Sequence, residues 1–333
     1  MFPRVSALFC FQEETAVIVE YPDYYESFTC LADRCPDTCC AGWDINVDDE
    51  PYYRYQTVQG PFGERLRSML QDENGEKAFR LTPEQRCPFL DTQNLCEIYR
   101  TLGPENLCRT CREFPRFVTQ IGDYEQIDLS LACPAAADLF FQNPGMITVC
   151  RVEDERPGKN MSVSDAADLS EIISFRDTAM AGCQKHSDHP HFLNLLPESN
   201  DPVWIEQFCR MEPLEDAWTV LVKRISDRLS EYQALWPEVY SEELEQWFRK
   251  LGAYFSFRYF IDSWFDGSLL PEKLMVKKSL WFLRLMVIDR WTTQDRQFSL
   301  KDLKELVQFY SKQVEFSDPN VRLLKELPLD SEE

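Results

Sequence analysis

The C-terminal part of the chain carries apolar residues at intervals of three and four, the spacing that places side chains on one face of an α-helix. In residues 215–236 this face is formed by Trp218, Leu221, Val222, Ile225 and Leu229. The pattern continues over residues 242–265, 273–291 and 300–314, and Ser299 is placed as an N-cap of the last segment. Four helices rich in aromatic residues predict a helical bundle.

The N-terminal part has a different pattern, with prolines and short polar turns in place of long periodic segments. Between residues 21 and 143, several prolines lie close to cysteines, namely Pro36, Pro88, Pro115 and Pro134. Loops held together by a metal have this composition. We therefore expect a mainly α protein: a Cys-rich metal-cluster region of short helices and loops at residues 1–150, followed by an aromatic-rich helical domain at residues 151–333.

Two polar stretches interrupt the chain after the Cys-rich region. Residues 153–165 contain the segment ERPGKN, and residues 185–201 contain HSDHPH and PESND, which favours surface loops or linkers in both places. All three histidines lie in the second stretch, at His186, His189 and His191. A zinc site there is one interpretation, but a polar turn around Pro190 is favoured.

Charge and composition narrow the function. The chain has 333 residues and a formal net charge of −22, which opposes binding to nucleic acid or an anionic membrane and favours a cationic partner such as a lysine-bearing protein surface. No apolar run reaches the roughly 20 residues that a membrane-spanning helix requires, so we expect a soluble, cytoplasmic protein. The eleven glycines include no Gly-x-Gly, so there is no dinucleotide-binding loop of the usual kind.

Eight cysteines form two ordered groups. The first reads Cys30-x4-Cys35-x3-Cys39-Cys40, and the second reads Cys87-x8-Cys96-x14-Cys111-x21-Cys133. So many thiolates indicate a soft metal, and the spacing accommodates either zinc or an iron-sulfur cluster. A disulfide framework is disfavoured, because the chain has an odd number of cysteines, thirteen, and enough apolar residues for a core.

These cysteines lie in three longer blocks that resemble successive motifs of one protein family. In chain order the blocks are YPDYYESFTCLADRCPDTCCAGWDINVD, CPFLDTQNLCEIYRTLGPENLCRTCREFPR and SLACPAAADL. They are similar, in sequence and in order, to the flagellin lysine-N-methylase family, which is related to the CxxCxxCC group of zinc or iron-sulfur cluster proteins. The resemblance covers most of residues 21–138. It is looser over the helical part, where it depends on aromatic segments such as YFSFRYFIDSW.

The resemblance implies transfer of methyl groups from S-adenosylmethionine to surface lysines of flagellin, in the bacterial cytoplasm before export, by an enzyme that holds a [4Fe-4S] cluster. The cysteines that fall on the family's positions are Cys30, Cys35, Cys39, Cys40, Cys87, Cys96, Cys111 and Cys133. Cys108 does not align with a family cysteine and is left out. Eight thiols exceed the four that one cluster needs, so a second structural metal and buried spectator thiols both stay open.

A lysine methylase must also deprotonate its substrate. The lysine amine has a pKa of roughly 10.4 and must attack in its neutral form, in line with the methyl group. Candidate bases near the cysteine blocks are Tyr99, Glu97 and Glu113. For the two glutamates, the alternative interpretation is an ordinary surface charge.

Candidate cofactor-binding residues lie in the same blocks. The rings of Trp43 and Phe114 would favour the sulfonium cation of S-adenosylmethionine, although packing of Trp43 against the metal site is the simpler interpretation. The segment CRTCREFPR contains Arg109, Arg112 and Arg116. These arginines would pair with the carboxylate of the cofactor or, as we favour, with the negative charge of a thiolate-bound cluster.

The reaction requires no radical. The usual radical signature is Cys-x3-Cys-x2-Cys, and the first cysteine group departs from it at both gaps. Methylation of a nitrogen is a polar displacement, so direct transfer beside an organising cluster is the economical hypothesis. Two other functions stay open from the sequence: an iron-sulfur redox or electron-transfer protein, and a zinc-stabilised interaction module without catalysis.

Overall fold

The computed structural model describes residues 16–184 and 201–326. It is 58% helical, with fourteen helices in these ranges and a small mixed sheet, so the prediction of a mainly α fold is confirmed. No helix in the described part of the chain is both long and apolar enough to cross a membrane. The turn predicted around Pro190, with its three histidines, lies outside the described residues.

The strands are β1 (Ala16–Pro22), β2 (Leu70–Glu73), β3 (Glu76–Phe79), β4 (Arg116–Ile121), β5 (Tyr124–Leu129) and β6 (Val149–Pro157). The helices of the Cys-rich region are α1 (Asp49–Thr57), α2 (Gly60–Met69), α3 (Glu97–Leu102), α4 (Arg109–Glu113) and α5 (Pro134–Phe140). The later helices are α6 (Val163–Gln184), α7 (Asp201–Cys209), α8 (Asp216–Asp227), α9 (Leu229–Val239), α10 (Glu242–Phe260), α11 (Ser263–Asp266), α12 (Leu270–Thr293), α13 (Leu300–Val314) and α14 (Asp318–Lys325).

Four strands form one sheet in the order β4-β5-β1-β6, and β2 and β3 form a separate hairpin. Strand β1 runs parallel to β5, with Ile18 opposite Tyr124, and the other two pairs are antiparallel. The hydrophobic pattern did not predict this sheet. Strand β5 buries Gln126 and Asp128 at positions where a strand pattern expects apolar side chains.

The prediction for the polar stretch 153–165 was partly wrong, because strand β6 includes its first residues. The polar stretch 153–165 was expected to be a loop, but its first five residues belong to β6, and α6 begins at Val163. As the edge strand of the sheet, β6 pairs its backbone with β1 and keeps polar side chains in solvent. The predicted domain boundary at residue 150 stays a prediction, and β6 crosses it.

Aromatic side chains form the core of the helical part. Phe208 of α7 stacks on Phe282 of α12 with ring centroids 3.9 Å apart, and Trp218 of α8 packs on the same Phe282 ring at 5.4 Å. All three side chains are buried. Burial of a large aromatic side chain stabilises the fold by roughly 1.5–3 kcal/mol, so such contacts hold these helices together.

Three of the four predicted long helices correspond to α10, α12 and α13, and the predicted cap of the last one is confirmed. The hydroxyl of Ser299 accepts from the backbone N–H of Asp302, whose carboxylate accepts from the Ser299 N–H at 2.9 Å. This reciprocal arrangement is a capping box.

The segment 215–236 was predicted as a single helix, and that prediction was wrong. The helix is interrupted at Arg228, which ends α8 and precedes α9. Arg224 of α8, before this residue, and the hydroxyl of Tyr232 of α9, after it, both donate to the buried carboxylate of Asp289, at 2.5 and 2.9 Å. Asp289 of α12 therefore bonds to the helices on both sides of the interruption.

Candidate functional site

Five cysteines of the N-terminal part belong to one apolar cluster, and we call them the inner cysteine group. Cys87 and Cys108 are buried in this cluster, and three half-buried cysteines pack against it, namely Cys40, Cys96 and Cys111. The backbone N–H of Cys87 donates to the carbonyl oxygen of Cys40 at 2.7 Å. This bond ties the first sequence block to the second.

Short helices position three members of the inner group. Cys96 is the N-cap of α3, where its Sγ accepts from the N–H of Tyr99 at 3.5 Å. Cys108 is the N-cap of α4, and Cys111 lies one turn further along. A hydrogen bond from the Cys111 thiol lowers the pKa of Cys108 and raises the pKa of Cys111. These two thiols therefore interact directly, although Cys108 was not among the predicted metal ligands.

Four further cysteines form what we call the outer cysteine group: Cys30, Cys35, Cys39 and Cys133. Cys133 caps α5 and is buried beside Leu31 and Phe114. Burial, with the neighbouring thiols of Cys35 and Cys30, raises the pKa of Cys133 to about 11. A hydrogen bond with the Cys40 thiol raises the pKa of Cys39, so the adjacent Cys39 and Cys40 connect the two groups.

Both groups offer only thiols, which are the ligands that iron-sulfur clusters and structural zinc prefer. Among the described residues, no three His, Cys, Asp or Glu side chains are arranged to hold a single metal ion. In a [4Fe-4S] cluster each iron takes one thiolate, so the four cysteines surround the cluster and do not converge on one ion. The donor chemistry therefore fits a cluster or thiolate-bound zinc, and the eight predicted ligands stay a prediction.

Four aromatic rings connect the Cys-rich region to the helical part, and we call them the aromatic patch: Trp43, Phe114, Phe117 and Phe316. The Phe316 ring lies 5.2 Å from Trp43, 5.3 Å from Phe114 and 5.0 Å from Phe117, measured between ring centroids. The indole Nε1 of Trp43 donates to the carbonyl oxygen of Cys39 at 2.7 Å, which places the patch beside the outer cysteine group. Phe316, which follows α13, is 39% exposed, so the patch reaches the surface.

A turn before Trp43 brings a lysine onto the patch. Gly42 has φ +84°, a conformation that favours glycine, and Lys312 of α13 lies against it. The Nζ of Lys312 lies 5.3 Å from the centroid of Trp43 and pairs with Asp37 at 3.2 Å. Lys312 therefore links the loop of the outer cysteine group to the helical part.

Two buried carboxyl groups lie next to the patch. Asp128 is opposite Phe117 in the β4–β5 pair, and Glu315 precedes Phe316 in the chain. Burial raises the pKa of Asp128 to about 8, and it also raises the pKa of Glu315. The sequence predictions missed both residues because nothing local distinguishes them from surface acids. Only the fold brings them together beneath aromatic rings.

The three predicted catalytic candidates lie in the Cys-rich region. Glu97 forms an ion pair with Arg65, and Glu113 forms one with Arg109 at 2.8 Å. Tyr99 is 52% exposed, and its backbone N–H is the group that contacts Cys96. Their proposed role as bases stays a prediction.

The predicted cofactor-binding residues occupy different surroundings. Trp43 is part of the aromatic patch. Arg116 donates to the hydroxyl of Tyr25 at 3.1 Å and lies over the Phe28 ring at 5.3 Å, in the apolar cluster that contains Cys133. Arg112 is about half exposed, with a guanidinium nitrogen 4.0 Å from Glu113. The structure therefore brings Trp43, but not Arg112, into the patch.

Comparisons with known proteins give the following matches. Residues 183–331 match the family described as FliB lysine N-methylase C-terminal domain. The blocks that carry the sequence resemblance lie at residues 21–138. The match to the family model covers a different part of the chain, the helical part.

The chain is 29% identical over 137 residues to the flagellar biosynthetic protein FliU of Salmonella muenchen, an alignment that covers 38% of this chain and 79% of that protein. It is equally similar, over the same length, to the lysine-N-methylases of Salmonella typhimurium strain LT2 and Salmonella choleraesuis strain SC-B67. That alignment covers 33% of each of those two proteins, about a third of their length. No solved structure matches the chain.

Proposed function

Since residues 183–331 match the FliB lysine N-methylase C-terminal domain and the cysteine blocks resemble the same family, we propose that this protein is an S-adenosylmethionine-dependent protein-lysine N-methyltransferase. Its substrates are surface lysines of flagellin, and its N-terminal cysteines hold a [4Fe-4S] cluster. The family match carries this proposal, and two relatives named lysine-N-methylase support it. The all-thiol donors of the two cysteine groups support the cluster, with zinc as the alternative.

The chemistry sets three requirements for the protein. S-adenosylmethionine, when bound, supplies an electrophilic methyl group on a positively charged sulfur. The protein must hold the lysine amine neutral and in line with that methyl group, and it must exclude water from the site. Aromatic faces stabilise cations, so the patch around Trp43 suits this reaction. The cluster would organise the Cys-rich region beside it.

The proposed partner is flagellin, in the cytoplasm before export. An acidic chain with net charge −22 attracts a partner whose surface carries lysines. One relative is named as a flagellar biosynthetic protein, which is consistent with a flagellar substrate.

The function is tested by incubating the anaerobically purified chain with flagellin and isotope-labelled S-adenosylmethionine, and identifying methylated lysines by mass spectrometry. We expect methylated lysines with the wild type and none with Cys35→Ser or Cys39→Ser. Cys209→Ser, which changes an exposed cysteine outside both groups, should retain the activity. Absence of methyl transfer by a wild-type chain with its full metal content would contradict the proposal.

Metal analysis of the same preparation separates the alternatives. About four irons with matching sulfide would support the cluster. Zinc alone in colourless protein, with no methyl transfer, would indicate an interaction module. A reversible redox couple without binding of S-adenosylmethionine would indicate an electron-transfer protein.

A further inference from the structure

We propose that the aromatic patch and Asp128 together form the site that receives the substrate lysine, in which the rings hold the alkyl chain and Asp128 takes a proton from the ammonium group. The ligand class is a primary alkylammonium. The inference rests on the proposed methylase function, because it assigns the acceptor side of that reaction to particular residues.

The first observation is that Asp128 and the patch share one face of the sheet. Phe117 on β4 and Asp128 on β5 are directly opposite partners in an antiparallel pair, so their side chains point to the same side. On the helical side, Phe316 stacks on Phe117 at 5.0 Å between ring centroids. The exposed ring of Phe316 and the buried carboxyl of Asp128 are therefore both neighbours of the Phe117 side chain.

The second observation is an unsatisfied oxygen on Asp128. This side chain is 1% exposed. Its Oδ1 accepts from the hydroxyl of Tyr24 at 3.2 Å and from the backbone N–H of Leu129 at 2.7 Å, but Oδ2 has no hydrogen-bond partner among the residues that the structure describes. Leaving a buried acceptor without a donor costs about 1–3 kcal/mol. An ammonium group from a ligand would supply the missing donor.

The third observation is that cations already lie on the patch. The guanidinium carbon of Arg258 is 3.8 Å from the centroid of Phe117, and the Nζ of Lys312 is 5.3 Å from that of Trp43. Within the described ranges, Nε of Arg258 has no hydrogen-bond partner, so the ring face is a main contact of this group. Arg258 is only half-buried and covers Phe117. The rings of Phe117 and Trp43 therefore already bind cations of this protein.

The proton transfer is balanced within the site. One N–H bond of the ammonium breaks, one O–H bond forms at Oδ2 of Asp128, and the nitrogen keeps the electron pair that it needs for attack. Burial raises the pKa of Asp128 to about 8, Arg258 and Tyr24 lower it, and Glu315 raises it. This pKa is closer to the lysine pKa of roughly 10.4 than the pKa of an ordinary carboxyl group is. Transfer of the proton from lysine to Asp128 therefore costs less free energy.

Two matched probes test the recognition of an ammonium. N-acetyl-lysine methyl ester carries the ammonium, and N-acetyl-norleucine methyl ester has an uncharged side chain of similar shape. Binding of each to the full chain is measured by calorimetry at about pH 8.5, above the pKa of Asp128. We expect the lysine probe to bind at least about tenfold more tightly, because a charge-assisted hydrogen bond is lost with norleucine.

Two variants locate the site. Asp128→Asn and Phe316→Ala should each weaken binding of the lysine probe by about tenfold or more, since one removes the carboxylate and the other a ring. Phe265→Ala removes a more exposed ring that lies outside the patch, and it should leave binding unchanged. Melting curves show which variants are folded. If Asp128→Asn does not fold, the affinity of Phe316→Ala for the lysine probe tests the site.

Equal affinity for the two probes, or wild-type affinity in the folded variants, would overturn the inference. Methyl transfer to flagellin is measured separately on the same proteins. Binding of the lysine probe at the patch with no methyl transfer would refute the methylase function and leave the lysine site standing. Full methyl transfer by both variants would retain the function and refute this site.

Discussion

The guanidinium of Arg176, on α6, donates to a carboxylate oxygen of Glu20, on β1, at 2.7 Å, and both side chains are buried. The same guanidinium donates to the amide oxygen of Gln126 at 2.6 Å and to the hydroxyl of Tyr124 at 2.8 Å, both on β5. One cation therefore satisfies polar groups on two neighbouring strands, and it fastens the first long helix to the sheet that carries Asp128.

Replacing Arg176 by Met should lower the free energy of unfolding by about 3 kcal/mol or more, because the buried carboxylate of Glu20 would lose its buried cationic partner and keep only the Tyr124 hydroxyl on that oxygen. Arg151 reaches only the other Glu20 oxygen, at 3.2 Å. Denaturant unfolding measures the change. Arg296→Met is the control: it removes an ion pair with Glu238 whose side chains are 67% and 49% exposed, and should cost no more than about 1 kcal/mol. Equal losses in the two variants would contradict the assignment.

Ser299→Ala should destabilise the protein by about 1 kcal/mol, because the first turn of α13 would lose the hydroxyl that accepts from the N–H of Asp302. Ser299→Thr keeps a hydroxyl at the cap and should retain most of the stability. Thermal or denaturant melting of both variants provides the measurement. An unchanged midpoint in the alanine variant would show that the cap contributes nothing.

The stability of the wild type relative to Asp128→Asn should depend on pH. The pKa of Asp128 is raised by burial to about 8, with Arg258 and Tyr24 opposing and Glu315 adding to the shift. A raised carboxyl pKa means that the folded state binds the proton more tightly, so the stability difference should fall by up to about 1.4 kcal/mol per pH unit between about pH 4 and pH 8.

This dependence is measured by denaturant unfolding of both proteins across that range. Glu315 is present in both, so the difference reports the titration of Asp128 together with its coupling to Glu315. A difference that stays constant from pH 4 to pH 8 would show that Asp128 titrates as an ordinary carboxyl.

Lys250 should show the opposite dependence. Its buried Nζ donates to the carbonyl oxygens of Phe140 and Asn143, each at 2.7 Å, and burial lowers its pKa to about 8. Between about pH 8 and pH 10.4 the unfolded state binds more protons, so the stability of the wild type relative to Lys250→Met should rise with pH by up to about 1.4 kcal/mol per unit.

The control for Lys250 is Lys301→Met, at a side chain that is 81% exposed. Its stability relative to the wild type should not change measurably over the same range, because an exposed side chain loses little contact with water on folding. A flat difference for Lys250→Met as well would argue that its ammonium is solvated in the folded protein.

Local patterns in the sequence determined much of the helical part. The spacing of apolar residues predicted α10, α12 and α13, and Ser299 was predicted as the N-cap of α13. Helical periodicity and caps involve neighbours within a few residues, so they can be recognised without knowledge of the fold. The dense cysteines likewise indicated a thiolate metal centre from composition and spacing alone.

Only the tertiary structure decided how the distant parts combine. The sheet stayed hidden because Asp128 and Gln126 are polar residues buried on β5, where their partners come from other elements. The placement of Cys108 with Cys87, and of Phe316 against Phe117, likewise depends on segments far apart in the chain. A hydrophobic pattern records how each residue fits its own helix or strand. The pKa of a buried carboxyl and the partners of an aromatic ring depend instead on what the fold brings next to them.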